Sequence, residues 1–565
     1  MLTRPIDKAL LDSYSDDIPF FLKKIYAARG VGEQQLSLSL ADLLKPNFDD
    51  LDHAIALLED CLIKQKKILI VGDFDADGAT ASVVAIKALR AMGAMQVDFL
   101  VPNRFEHGYG LSPAIVELAH RDKQADLIIT VDNGIASFDG VELAKEMGMQ
   151  VIITDHHLPS DTLPKADAII NPNLKGCDFP SKNLAGVGVC FYLFSSLKTH
   201  LLNTGYFSQN QITPPDMRTL LDLVALGTVA DVVKLDQNNR TLIAEGVKRI
   251  RQGYCVPGIT ALLEIAKRRP EVLQASDLGF SVAPRLNAAG RLSDISRGIQ
   301  CLLTQDLNDA RRYAMELETF NQTRRQEQEK IQAEAEAIVN KQNFSKGKFA
   351  LSLFDPDWHE GIVGIVAGKL KEMHHCPVAV FARSGEFLKG SIRSIPDVHI
   401  KDLLDLIDRK NPNLIVKFGG HAMAAGLSIT HENFPKFKQA FSESVKNHLD
   451  GQKPQLELLT DGQLTEDQIT LDNAQLIADS APWGQGFEEP IFFGSFEVTE
   501  QKIVGEKHLR CRLQLLDGKQ VFDGIAFFQD KLDQKQVKMA YKLSVNEWRG
   551  QSSLQLMIEQ ISALE

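Results

Sequence analysis

The sequence has no pair of cysteines spaced as C-x-x-C, which disfavours a structural zinc site. Its seven cysteines are scattered along 565 residues, a pattern typical of reduced core thiols in a cytosolic protein. No apolar run approaches the ~18 residues that a membrane-spanning helix needs. The N-terminal stretch "MLTRPIDKALLDSYSDDIPF" has acids where a signal peptide would have its apolar segment. We therefore expect a cytoplasmic protein without a membrane partner.

The sequence also lacks the excess of basic residues that often marks a nucleic-acid-binding protein. Lys and Arg number 62 against 74 Asp and Glu, so the formal net charge is −12. This balance does not exclude a local basic groove, because binding depends on the charges nearest the phosphates. Apolar residues make up 44% of the chain, which is ordinary for a globular protein, and its length predicts about three or four domains.

From about residue 66 to residue 173, the chain alternates short apolar runs with helical stretches. Runs such as "KKILIVGDFD" and "ADLIITVDNG" are typical of buried strands, and "ATASVVAIKALRAMG" ends at a Gly where a helix C-cap is expected. This alternation predicts an α/β fold with a parallel, doubly wound sheet. In such sheets, ligands bind beyond the carboxyl ends of the strands.

The later regions differ in character. Residues 306–342 contain no Gly or Pro and predict one long connecting helix of roughly 50 Å. A second, smaller α/β unit follows, and the last region alternates apolar and polar residues between turn signals, which predicts a small antiparallel barrel or sandwich. We divide the chain into an N-terminal extension, a metal domain, a helical region, a second α/β domain and a β-domain: 1–50, 51–240, 241–347, 348–455 and 456–565.

Three carboxylates crowd the end of the first predicted strand. The stretch "VGDFDADG" places Asp73, Asp75 and Asp77 at alternate positions directly after an apolar run. One such Asp could simply cap a helix, but three of them repel, and each raises the pKa of its neighbours. Because a divalent cation would remove this repulsion, the pattern favours a metal site over an acidic turn.

Further candidate ligands follow other predicted elements: Asp132 in "VDNG", His156 and His157 after Asp155 in "TDHH", and Asp231 in "ALGTVADVV". Each alone has an ordinary alternative role as a cap, a surface acid or a core histidine. Together the aspartates and histidines predict a mixed oxygen and nitrogen site, for which Mn²⁺ or Mg²⁺ is the natural occupant. Because the carboxylates outnumber those that one hard cation needs, two ions sharing a bridging Asp are favoured.

The motifs "GDFDADG", "VDNG", "TDHH" and "ALGTVADVV" resemble the four metal motifs of the DHH phosphoesterase superfamily. The motifs "PRLNAAGRLS", "WHEGIVGIVAGKL", "KGSIRS" and "FGGHAMAAG" are similar to those of its RecJ branch, the single-strand-specific 5′→3′ DNA exonucleases. The likeness runs from about Leu51 to the end of the chain. It implies that the second α/β domain is the DHH-associated domain and that the β-domain is an OB-fold. It also implies single-strand-binding protein and a RecQ-type helicase as partners of a monomeric enzyme.

The same resemblance implies roles for individual residues. Asp132, His156 and His157 would be catalytic as well as metal-binding. The full ligand set would be Asp73, Asp75, Asp77, Asp132, His156, His157 and Asp231, and which of the first three touch metal stays open. Phosphate contacts would come from Arg104, Ser391 and Arg393 at the 5′ terminus, Arg285 and His421 at the scissile bond, and the backbone of Gly420.

The expected reaction is two-metal hydrolysis of the 5′-most phosphodiester of single-stranded DNA, with release of 5′-mononucleotides, in recombination and repair. Two alternatives are kept. Another DHH hydrolase could act on short oligonucleotides or cyclic dinucleotides, but such substrates need no OB-like tail. A non-catalytic single-strand-binding scaffold would not need the complete Asp and His set.

Overall fold

The computed structural model describes residues 1–103, 108–341, 349–452, 457–505, 507–548 and 550–564. The chain divides into two compact units. The first comprises Met1–Gly290, Asp294–Leu317 and Leu458–Glu565, and the second Arg291–Ser293 and Glu318–Glu457. Among the described residues, no helix combines the length and the apolar content that crossing a membrane would require.

The first unit opens with short N-terminal elements and continues into a parallel sheet. The N-terminal elements are β1 (Leu2–Thr3), α1 (Lys8–Ser13), α2 (Phe20–Ala27) and α3 (Leu51–Ile63). The next elements are β2 (Ile68–Gly72), α4 (Ala76–Ala91), β3 (Val97–Leu100), α5 (Pro113–Leu118), β4 (Leu127–Val131), α6 (Phe138–Glu146), β5 (Gln150–Thr154) and β6 (Ala168–Ile170). The strand order is β3-β2-β4-β5-β6, and all neighbours are parallel.

This sheet confirms the predicted doubly wound α/β fold. Strands β2 and β4 are buried along their whole length, as expected for central parallel strands covered by helices on both faces. The chain leaves β2 toward one edge of the sheet and β4 toward the other, so the topological switch point lies between these two strands. The carboxyl end of such a pair forms a crevice in which ligands bind. Asp73 and Asp132 are the first residues beyond these two strand ends.

A mainly helical region follows, and it ends in one long helix, α15. Its helices are α7 (Gly186–Asn203), α8 (Tyr206–Gln209), α9 (Leu221–Ala230), α10 (Gln237–Arg251), α11 (Pro257–Ile265), α12 (Ala275–Asp277), α13 (Ala283–Leu292), α14 (Ser296–Leu303) and α15 (Leu307–Lys341). Helix α15 contains no Gly or Pro, so nothing in its sequence breaks the backbone hydrogen-bond ladder.

The second unit contains a five-stranded mixed sheet. Its elements are β7 (Leu351–Phe354), α16 (Val363–His374), β8 (Val378–Ser384), β9 (Phe387–Arg393), α17 (Ile400–Lys410), β10 (Lys417–Gly420), β11 (Ala424–Thr430) and α18 (Phe434–His448). The strand order is β10-β11-β9-β8-β7. Phe381, Phe437 and Phe441 form a fully buried aromatic centre of its core.

The C-terminal part of the first unit is a closed five-stranded barrel. The elements are β12 (Leu459–Thr460), α19 (Leu471–Ser480), β13 (Phe492–Val504), β14 (His508–Leu515), β15 (Val521–Ala526), β16 (Gln536–Trp548) and β17 (Gln551–Ala563). The barrel order is β13-β14-β15-β17-β16. Period-two alternation predicted a small antiparallel β-domain, but the barrel is closed by a parallel pair, β15 with β17. Closure removes the sheet edges that an open sheet would expose.

The N-terminal segment is bound to the chain just before the barrel by a buried ion pair. Arg29 donates two hydrogen bonds to the carboxylate of Asp461, with Nη1–Oδ1 2.7 Å and Nη2–Oδ2 3.1 Å. Both side chains are only 3% exposed. Tyr26 stacks on Trp483, and β1 pairs with β12 in parallel. The first residues therefore help to hold the barrel on this unit.

We expect Arg29→Ala to lower the free energy of unfolding by about 3–5 kcal/mol, because it leaves a buried carboxylate without its partner. Arg4→Ala is the matched control. Its partner Glu488 is 48% exposed and 3.4 Å away, so that change should cost less than about 1 kcal/mol. Urea unfolding followed by tryptophan fluorescence measures the free energy of unfolding of both variants. Equal losses would show that the buried Arg29–Asp461 pair stabilises the fold no more than the exposed pair does.

Candidate metal centre

The seven predicted ligands converge at the carboxyl edge of the parallel sheet. Their ligand atoms form three overlapping groups, in each of which all atoms lie within 4.8 Å of one another. The groups are Asp132, His156 and His157; Asp77, His156 and Asp231; and Asp73, Asp75 and Asp132. Because Asp132 and His156 each belong to two groups, the side chains form one continuous cluster that could hold more than one ion.

The three aspartates of "GDFDADG" are held in different ways. Asp75 is the N-cap of α4, and its Oδ1 accepts hydrogen bonds from the amides of Asp77 and Gly78. The ordinary capping role and the cluster role therefore coexist in one residue. Both oxygens of Asp77 accept hydrogen bonds from the first turn of α7, from Gly186 N at 2.6 Å and Val187 N at 2.9 Å. Helix α7 thus fixes the Asp77 carboxylate.

Asp132 has a strained backbone. Its φ of +63° lies in the left-handed region, which costs roughly 1–3 kcal/mol for a residue other than glycine. Its amide donates to Thr154 O at 3.0 Å. Gly186 approaches so closely that a Cβ there would lie 2.5 Å from Asp132 Cβ. Strain of this kind persists only where the surrounding structure enforces it, and it is typical of functional sites.

The two histidines are oriented by carboxylates. His156 Nε2 lies 3.1 Å from Asp132 Oδ1 and 3.5 Å from Asp231 Oδ2. His157 Nδ1 lies 2.7 Å from Asp155 Oδ1, so this ring donates through Nδ1 and keeps Nε2 for a cation. The same Asp155 oxygen accepts the amides of both histidines. Asp155 therefore sets the conformation of the whole "DHH" turn.

Burial and mutual repulsion raise the pKa of most carboxyls in the cluster. Burial is the main cause for Asp73, Asp132 and Asp231, and the charges of neighbouring aspartates add to it. Burial and the Asp75 charge raise the pKa of Asp77 to about 7, although the two α7 amides oppose them. Asp155 behaves differently: burial alone would raise its pKa, but the His157 hydrogen bond and charge outweigh burial and lower it.

The residues fit a hard divalent cation. Asp73 Oδ1 is buried and accepts no hydrogen bond from the described part of the chain. Buried charged oxygens without a partner are costly, and a cation would remove that cost. The donors are carboxylates and imidazoles with no thiolate among them, a set that suits Mn²⁺ or Mg²⁺ better than structural zinc.

Two supporting residues were not among the sequence predictions for this site. Asn287 Oδ1 accepts the amide of Ala76 at 2.7 Å, which ties α13 to the start of α4. The ring of Tyr109 packs edge-on against Phe74 and His157, with centroids 5.9 and 6.2 Å apart. Asn287 lies in the quoted motif "PRLNAAGRLS", which was the only sequence signal for it. Contacts across 211 residues of sequence cannot be read from local patterns.

The predicted phosphate-binding residues lie in several places. Arg285 is buried in α13, and its guanidinium donates to Ser281 O. Ser391 and Arg393 lie on β9 of the second unit, where Arg393 Nη1 donates to Ser391 Oγ at 2.9 Å. Gly420 ends β10 of the same sheet with a φ of +154°, and His421 donates its amide to Ala424 O across the turn. Arg104 lies outside the described residues.

We expect Asp155→Asn to weaken Mn²⁺ binding by about 10–100-fold, because an amide no longer fixes the tautomer of His157. Asp161→Asn, which changes an exposed acid shortly after the histidines, should leave the affinity unchanged. Isothermal titration calorimetry of the metal-free proteins with Mn²⁺ measures the dissociation constants of both variants. An unchanged dissociation constant in Asp155→Asn would show that this carboxylate does not orient a ligand.

Family comparisons match three segments of the chain. The DHH family, N-terminal domain, matches residues 67–228. The DHHA1 domain matches residues 346–447, and the RecJ OB domain matches residues 460–560. The first match covers six of the seven clustered side chains and stops just short of Asp231. The third match covers the closed barrel except for the last three residues of β17.

Whole-chain comparisons agree. The chain is 48% identical over 555 residues to the single-stranded-DNA-specific exonuclease RecJ of Salmonella typhimurium, covering 96% of each. The crystal structure of Thermus thermophilus RecJ in complex with Mn²⁺ has a TM-score of 0.82 at 28% identity and covers 100% of this chain and 79% of that one. The Mg²⁺ complex has a TM-score of 0.75 at 26% identity, covering 100% and 78%. These matches confirm the resemblance seen in the motifs, and the chain belongs to the RecJ family of DHH phosphoesterases.

Proposed function

We propose that this chain is a metal-dependent exonuclease that digests single-stranded DNA from the 5′ end and releases 5′-mononucleotides, in DNA recombination and repair. The observation that carries the proposal is the convergence of five aspartates and two histidines in one cluster. Membership of the RecJ family supplies the substrate class, since the relative with 48% identity is a single-stranded-DNA-specific exonuclease.

We assign two divalent cations, Mn²⁺ or Mg²⁺, to the three overlapping groups of the cluster. Bound cations supply an activated water and a Lewis acid for the phosphoryl oxygens. The protein's part is to hold its donors rigidly: Asp132 and His156 join neighbouring groups, and Asp155 fixes His157. Since the amides of α7 hold Asp77 and Asn287 holds the start of α4, little reorganisation is needed at the moment of reaction.

The 5′ polarity requires a site for a terminal phosphate, and we assign it to β9 of the second unit. Ser391 and Arg393 lie side by side there. Gly364, in the first turn of α16, approaches them so closely that a Cβ would lie 2.9 Å from Ser391 Oγ. A guanidinium fork, a hydroxyl and a helix N-terminus are a suitable combination for a phosphate. Further phosphate contacts are proposed for Arg104, Arg285, Gly420 and His421.

The remaining assignments follow from the family. We propose that the barrel binds the strand behind its 5′ end, as OB-folds do by stacking and a charged groove. Single-strand-binding protein and a RecQ-type helicase are the proposed partners. A monomeric state and a cytoplasmic location are proposed on the same ground.

Digestion of end-labelled DNA tests the proposal. A 5′-phosphorylated single strand with Mn²⁺ should yield labelled mononucleotide from the first time point, whereas a 3′-labelled strand should shorten gradually. Blunt duplex should resist, and a chelator should stop the reaction. Release from the 3′ end or equal attack on duplex would overturn the polarity or the strand preference. Faster turnover of a 5-mer or a cyclic dinucleotide than of a long strand would favour a short-substrate DHH hydrolase.

A further inference from the structure

Phe280 is more exposed than any other large apolar side chain of the described residues, at 81%. It lies in a short π-helical turn, Leu278–Val282, between α12 and α13. Its neighbours Leu278 and Val282 are fully buried. Isolated exposed apolar side chains are common, so exposure alone does not indicate a function. The difference in burial between Phe280 and these two neighbours shows that the turn is firmly packed, whereas the Phe280 ring is exposed to solvent.

The turn is fixed to the metal cluster on both sides. Gly279 lies against the end of α9, where a Cβ would be 3.1 Å from Val229 Cγ1, and Asp231 follows two residues later. On the other side, α13 reaches the loop after β2. Asn287 accepts the amide of Ala76, and Gly290 lies on the carbonyl of Phe74. Phe280 therefore lies on a turn that packs against the end of the helix before Asp231 and leads into the helix that contacts the loop after β2.

The turn is also stiffened from within. The buried Arg285 guanidinium donates to the carbonyl of Ser281, the residue next to Phe280. A π-helical turn replaces the ordinary helical hydrogen-bond pattern and is frequent at functional sites. A rigid support of this kind holds a side chain in one place without burying it, which a binding platform requires.

Val232 provides a second, independent observation. It directly follows Asp231, its φ is +59°, and it is 64% exposed. A β-branched residue in the left-handed region is a genuine outlier, and its exposed side chain gains no burial to offset the strain. Two exposed apolar side chains therefore lie on segments next to Asp231: Val232 directly follows it, and Phe280 follows Gly279, which packs against Val229.

We propose that Phe280, together with Val232, is the platform on which a base of the bound strand packs next to the metal cluster. This rests on the proposed function, since it presumes a DNA strand at that cluster. Bound cations position a phosphate but do not pack against the apolar face of a base, whereas an exposed aromatic ring does. An aromatic ring stacks with all four bases, which suits an exonuclease that must accept every sequence. Phe280 is thus a positioning residue.

The proposal is tested on the full chain by removing the Phe280 ring and the DNA base, each alone and then both together. Phe280→Ala should weaken binding of a 5′-phosphorylated strand, and lower its kcat/KM, by about tenfold. Phe280→Trp should restore both. Strands that lack one base near the 5′ end are then compared. For one position of the missing base, the affinity and kcat/KM of the wild type should fall by a similar factor. On that strand, Phe280→Ala should have the same affinity and kcat/KM as the wild type. Binding is read by fluorescence anisotropy with Ca²⁺, and cleavage with Mn²⁺.

Tyr254→Ala, which removes another 64%-exposed ring of the same unit, should change neither quantity. The proposal is overturned if Phe280→Ala matches the wild type, as it would for a surface that binds a partner protein. It is also overturned if the variant loses the same factor on intact and on every abasic strand, because the ring then acts only through the fold. A wild-type chain that cleaves no single strand would instead refute the proposed function, and the base platform with it.

Discussion

Asp132→Asn is expected to lower kcat on single-stranded DNA by about a thousandfold or more, equivalent to about 4 kcal/mol of transition-state stabilisation. Asp132 belongs to two of the three ligand groups, so a neutral amide would weaken both at once. Asparagine tolerates the left-handed backbone at this position and has the same volume. The loss can therefore be attributed to the missing charge rather than to misfolding.

Initial rates with saturating Mn²⁺ measure this effect. The matched control is Asp139→Asn, an exposed acid in the first turn of α6, which should retain full activity. In chelator, Asp132→Asn should be at least as stable as the wild type, since it removes one of several mutually repelling carboxyls whose pKa values are raised. A variant with most of the wild-type rate would rule out the assigned role of Asp132.

Removing the metal is expected to abolish activity. It should also make the folded protein less stable as the pH rises, whereas stabilisation by bound metal should increase with pH. The pKa of Asp77 is raised from 3.8 to about 7. Between these pH values, the unfolded chain loses a proton that the folded chain retains, so metal-free stability falls as the pH rises from about 4 to about 7. A cation binds the ionised carboxylates, and its apparent affinity therefore increases over the same range.

Thermal unfolding measures this linkage. Mn²⁺ should raise Tm by about 5 °C or more at pH 8, and by clearly less at pH 5. The difference between the Mn²⁺-induced rises in Tm at pH 8 and pH 5 should shrink in Asp132→Asn and persist in Asp139→Asn. Equal stabilisation by Mn²⁺ at the two pH values would show that carboxyl ionisation is not coupled to metal binding here.

The sequence alone was sufficient for much of the fold, and the reason is local. The apolar runs before Asp73 and Asp132 are typical of buried strands, and in a parallel sheet their carboxyl ends must share one edge. The uninterrupted helix over Leu307–Lys341 follows from a stretch without Gly or Pro. The parallel closure of the barrel by β15 and β17 was not predicted, because alternation shows which face of a strand is buried but not its neighbour.

What the sequence by itself determined is therefore the chemistry of the candidate site: which strands end in carboxylates and imidazoles, and which cation such donors prefer. Only the tertiary structure decided how those donors are held. The amides of α7 on Asp77 and the Asn287 contact with α4 join residues far apart in the chain. Such contacts depend on how whole elements pack, and no local pattern of residue types encodes that packing.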